Sequence, residues 1–148
     1  MSGGARAARV APGERRALDA PRHRRMSTAI AAGLDLVWIL VFVGIGRSVH
    51  TDGVSVAGVA STAWPFVTGL AAGWLGTRLV KRPVALARSV LAAAGCVAVA
   101  MALRVVAGQG TAAPFVGVAL GFIGAGMVGW RLLVRLLARR ARATAAIA

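Results

Sequence analysis

Four long apolar runs separated by short polar breaks dominate the chain, at about residues 27–46, 55–79, 83–106 and 111–133. At 1.5 Å of rise per residue, about twenty helical residues cross a hydrocarbon core of about 30 Å. Each run meets that length, so the pattern predicts four transmembrane helices. The third run contains LAAAGCVAVAMA (91–102), rich in alanine rather than leucine. It is expected to face neighbouring helices more than lipid.

Within this pattern a six-residue phrase occurs twice, TAWPFV at 62–67 and TAAPFV at 111–116. Both copies sit at the start of a span running in the same direction. Thr62 and Thr111 are suitable N-caps, and proline is tolerated in a first turn, which has no use for its missing N–H. In the first copy, SVAGVA (55–60) offers an earlier start, which makes Pro65 an internal kink instead. Both spans then carry Gly-Trp, at 73–74 and 129–130. The two Pro-to-Trp spacings differ by two helical turns, so the tryptophans fall on nearly the same face. Residues 27–79 and 83–137 thus read as two helical hairpins in the same orientation, a parallel repeat about an axis along the membrane normal.

Small residues mark packing faces. Gly117, Gly121, Ala125 and Gly129 recur every four positions in the fourth span, and Gly69 and Gly73 form a GxxxG in the second. Close backbone approach at such stripes serves packing within the chain or a homodimer seam, and here the two readings carry equal weight. Arg131, Arg135 and Arg139 repeat opposite Leu132, Leu133, Leu136 and Leu137, which predicts a tail helix lying along the headgroups.

Charge adds direction. The chain has 18 basic and 4 acidic residues, and 58% of it is hydrophobic. Sixteen basic residues flank one side: seven in residues 1–25; Arg78, Lys81, Arg82 and Arg88 at the second turn; and five after position 130. Only Arg47 and Arg104 flank the other. By the positive-inside rule, both termini are cytoplasmic and the protein is a multi-pass plasma-membrane protein. The basic blocks set orientation and meet anionic headgroups; with no interleaved aromatics and no nucleic-acid motif, nucleic acid is not an expected partner. Residues 1–26 read as a disordered basic tail, with Met26 an alternative start, and 138–148 as a second basic tail. The arginine, alanine and glycine bias fits a high-G+C bacterial genome.

Two polar groupings are candidates for chemistry. Asp35 lies eight residues into the first span, where a carboxylate is costly unless it faces protein or water. It is either a titrating site for a proton or cation, or half of a structural ion pair with Arg88, with Arg78 as a second possible partner. On the opposite side, Arg47, His50, Arg104, Gln109, Thr62 and Thr111 form a candidate outer polar cluster suited to an anion. The competing reading there is ordinary interfacial arginines beside a solvated loop. The lone Cys96 allows no intrachain disulfide. No HExxH, GxSxG or CxxC is present, so no metal, cofactor or enzymatic activity is expected.

Taken together, Asp35, IGR (45–47) with His50, TAWPF, GW, and the later LR, GQGTA, F and GWR resemble the family called domain of unknown function 3054. The resemblance covers about residues 30–135. It implies a small four-span prokaryotic membrane protein and brings no activity or catalytic residues. The stretch GCVAVAMALR (95–104) departs from the family pattern, so no role is carried over to that span. The small multidrug exporters are similar in size and in having an acid in the first span. Their acid is glutamate, however, and their aromatics include tyrosine, which this chain lacks.

The expected fold is an all-α bundle of four transmembrane helices, homo-oligomeric or joined to another membrane protein. The expected function is transport of a small solute or ion by way of Asp35. The alternative is a non-catalytic scaffold or accessory subunit that binds another membrane protein through its glycine stripe.

Overall fold

The computed structural model describes residues 27–48 and 55–146. They form α1 (Thr28–Ser48), α2 (Val56–Gly76), α3 (Leu86–Val106) and α4 (Ala113–Ala145), with a 3-10 turn at Leu79–Lys81. All four helices are long and apolar enough to cross a membrane. The expectations for the 1–26 tail and for His50 lie outside the described residues.

Local chemistry sets the helix starts. Ser27 caps α1, its Oγ accepting from the Ile30 N–H at 3.2 Å. Ser55 caps α2, accepting from Gly58 N–H at 3.0 Å. The second helix therefore begins at Val56, six residues before Thr62, which is a mid-helix residue and not an N-cap. Thr111 is not a cap either: α4 is capped at Ala112, with Pro114 in its first turn.

The two proline motifs thus do different work. Pro114 sits where no N–H is needed. Pro65 is inside α2 and leaves the carbonyl four residues back, that of Ser61, without its helical donor. Gln109 repairs the gap, its Nε2 donating to Ser61 O at 3.0 Å.

The helices close into a ring. Each packs on its neighbours in sequence, and α1 closes against α4, while the diagonal pairs barely touch. The tightest pairing is α2 on α3. A Cβ at Gly69 would run into the Cys96 carbonyl and one at Gly73 into that of Ala92, so this GxxxG brings two backbones together within the chain. Cys96 Sγ donates to the Phe66 carbonyl across the same seam at 3.4 Å.

The stripe on α4 behaves differently. Gly117, Gly121, Ala125 and Gly129 are all exposed, and nothing lies within 4 Å of a Cβ built at any of the three glycines. The glycine that α4 uses for packing is Gly126, over which the Trp38 indole lies. That indole donates to the Phe122 carbonyl at 2.8 Å and stacks on the Phe122 ring at 5.0 Å.

α4 is one helix of 33 residues, about 50 Å by helical rise and well beyond a hydrocarbon core. The outside of the bundle is strongly apolar, with Ile30, Val37, Leu75, Leu91 and Val118 among its exposed residues. In water that surface would be an aggregation liability; in lipid it is matched.

Candidate functional site

Asp35 is fully buried at the centre of the bundle, toward the end where α1 begins and α2 ends. Its Oδ1 accepts from Arg131 Nη1 and Trp130 Nε1, both at 2.8 Å. Its Oδ2 accepts from Arg131 Nη2 at 2.7 Å and Trp74 Nε1 at 2.9 Å. A carboxylate offers about four acceptor positions, and all are taken. Arg131 is equally committed: its Nε donates to the Pro83 carbonyl at 2.7 Å, Nη1 also reaches the Met127 carbonyl, and the guanidinium lies 4.2 Å from the Trp130 ring centroid. Three of the four helices and the turn before α3 are thereby tied to one ion pair.

The expected partner was Arg88, and the structure corrects this. Arg88 Nη1 donates to the carbonyls of Arg78, at 3.0 Å, and Thr77, at 3.4 Å, closing the frayed end of α2. The ring order supplies the reason, since α3 lies diagonally across from α1 while α4 lies beside it. Arg78, the second candidate, is exposed and takes a left-handed φ of 53° at the helix exit. The two repeated Gly-Trp tryptophans do converge, one on each oxygen of Asp35.

At the other end of the bundle is a cavity of about 390 Å³. Phe42, Phe66 and Phe115 line its apolar part, with ring centroids 5.4 to 6.3 Å apart. Above them stand Arg47 from α1 and Arg104 from α3. Arg47 lies across the first turns of α2, where only a glycine at 58 leaves it room, and donates to Thr62 Oγ1 at 3.2 Å. Arg104 lies 4.9 Å from the Phe115 centroid. It donates through Nη1 to Gln109 Oε1 at 3.2 Å and through Nη2 to the Gln109 carbonyl at 3.3 Å. Its Nε is buried without an acceptor.

Of the outer polar cluster, the structure therefore gathers Arg47, Thr62, Arg104 and Gln109 around one cavity. Thr111 does not line it. The phenylalanines are the part that polar-residue reasoning missed, although the repeated Pro-Phe pointed at two of them. Among the described residues no group of His, Cys, Asp and Glu is arranged to hold a metal ion.

A family model described as "Protein of unknown function (DUF3054)" matches residues 32–134. Asp35, its three donors and every residue of the cavity fall inside that match. No curated protein and no solved structure matches the chain.

Proposed function

This chain belongs to the DUF3054 family, and on that premise we propose that it is a multi-pass membrane protein that receives a small anionic solute in the Arg47–Arg104 vestibule. The observation that carries the reading is the pair of guanidinium groups, contributed by two different helices, over a phenylalanine floor in a cavity of about 390 Å³. That volume is in the range of small-ligand pockets, and the lining is of the usual kind, apolar with a few placed polar groups. Arginine suits the task because it stays charged and presents a planar fork of donors to an oxyanion. The ligand expected is a small carboxylate or another oxyanion, with any apolar portion resting on the rings.

In this reading both termini are cytoplasmic and the vestibule opens on the outer side. Of the two roles open to Asp35, titrating site or structural ion pair, this reading takes the second. It has no exposed surface and no free acceptor, so it serves as a latch that closes the far end of the bundle. Passage of solute requires that latch to part. Separating a buried, hydrogen-bonded ion pair costs several kcal/mol, which makes it a gate rather than a loose contact. No bond-making chemistry is assigned to the protein.

Binding of chloride, phosphate, acetate and benzoate to the purified protein in lipid nanodiscs, followed by calorimetry, tests the reading. A charged hydrogen bond is worth about 1.5–3 kcal/mol, so Arg47→Gln or Arg104→Gln should weaken binding about tenfold to a hundredfold. If no anion binds, or the variants bind as well as the wild type, the proposal fails. A scaffold role keeps one observation in its favour, the exposed Gly117–Gly129 stripe. If Gly121→Leu leaves the protein's self-association unchanged, that stripe is not an oligomer seam.

A further inference from the structure

A second cavity, of about 410 Å³, opens sideways between α1 and α2 near the end where Asp35 is latched. Its lining is apolar, with Ala32, Gly33, Leu36, Ala71, Trp74 and Val80 contributing. The small residues make it a groove: nothing lies within 4 Å of a Cβ built at Gly33. Its back wall is held in place, because the Trp74 indole is anchored to Asp35 at 2.9 Å. Its end is held too, since Thr28 Oγ1 donates to the Val80 carbonyl at 3.1 Å. Val80 belongs to the turn that carries Arg78, Lys81 and Arg82, and all three side chains are exposed. Asp35 is the one acidic residue among the described residues, and it is fully used by Arg131 and the two indoles. An apolar slot thus ends at a cluster of cations with no described carboxylate left to meet them.

We propose that this groove is a binding site for one anionic phospholipid, with an acyl chain along α1 and α2 and the phosphate on the Arg78–Arg82 turn. Charge complementarity chooses this occupant over a neutral lipid. A single phosphate within reach of three cations gains attraction that phosphatidylcholine, with its own cation beside the phosphate, largely forfeits. The site is independent of the vestibule, which lies at the opposite end of the bundle.

The test uses the full chain in nanodiscs of equal phosphatidylglycerol and phosphatidylcholine, with native mass spectrometry counting the lipids that stay bound after delipidation. The wild type should retain about one phosphatidylglycerol, at about five times the phosphatidylcholine level or more. Gly33→Leu fills the groove without touching charge, and Lys81→Gln with Arg82→Gln removes charge without touching the groove. Each should lower retention about fivefold or more. Ala71→Phe is a second filling variant, which decides the matter if Gly33→Leu does not fold by near-UV circular dichroism. Equal retention of the two lipids overturns the proposal. So does undiminished phosphatidylglycerol in a folded filling variant, because the headgroup would then be adsorbing to the basic turn alone.

Discussion

At Asp35 the carboxylate spends all of its acceptor capacity on protein donors, and Arg131 has no route to water to compensate if that carboxylate loses its charge. Asp35→Asn therefore leaves a buried guanidinium facing a neutral amide, and is expected to cost about 3–5 kcal/mol. Removing both charges, as in Asp35→Leu with Arg131→Met, should recover most of that loss, since a well-packed apolar pair avoids the desolvation that the ion pair incurs. Unfolding followed by tryptophan fluorescence in mixed micelles separates the two outcomes; an Asn variant as stable as the wild type would remove the latch from the account. Asp35 was legible in the sequence because a charge inside an apolar run announces itself. Its partner was not. Arg131 belongs to a regular four-residue arginine series that looks like the polar face of a tail helix, yet Arg131 is fully buried while Arg135 and Arg139 are exposed. The available signal was adjacency: Arg131 directly follows Trp130, the second of the two Gly-Trp tryptophans that share a face.

Between elements, glycine decides how near two helices come, and identical spacing hides opposite outcomes. Gly69 and Gly73 let α2 rest on the carbonyls of α3, whereas the longer stripe of α4 meets nothing. Gly126, one residue off that stripe, is the position that carries load in packing terms, because a side chain there collides with the Trp38 indole. Gly126→Ala should displace that ring from Phe122 and destabilise the fold by about 1–3 kcal/mol, while Gly121→Leu should leave stability unchanged. Thermal unfolding of the two variants side by side checks this, and equal losses would refute it. Hydropathy located all four helices to within a few residues at most ends, since length and apolar content are what a bilayer selects. It misplaced one end, that of α4, for a physical reason. The start of α2 is the earlier of the two that the sequence offered, with SVAGVA helical and Gln109 meeting the carbonyl that Pro65 orphans. RLLVRLLARRARATA (131–145) continues α4 because it holds no glycine or proline and is rich in strong helix formers.

For the whole molecule, the ring order is what hydropathy could not supply, and it decides every long-range partnership. Setting α1 beside α4 gives Asp35 to Arg131 instead of Arg88, and leaves Arg88 to seal the end of α2. The same order gathers like residues from the two copies of the repeated motif, with Phe66 and Phe115 in the vestibule and Trp74 and Trp130 on Asp35. Polarity across the bundle follows from charge. Arg78, Lys81, Arg82 and the α4 tail crowd one end, while among the described residues the vestibule end has Arg47 and Arg104. Translocating the crowded end is disfavoured during insertion, so that end should remain in the cytoplasm. The single native thiol, Cys96, is fully buried and gives a silent background for labelling. A membrane-impermeant maleimide added to intact cells should label Ala107→Cys, at the exposed exit of α3. It should reach Lys81→Cys only after the membrane is permeabilised. The reverse pattern would put the vestibule on the cytoplasmic side, and the solute would then have to approach from within the cell.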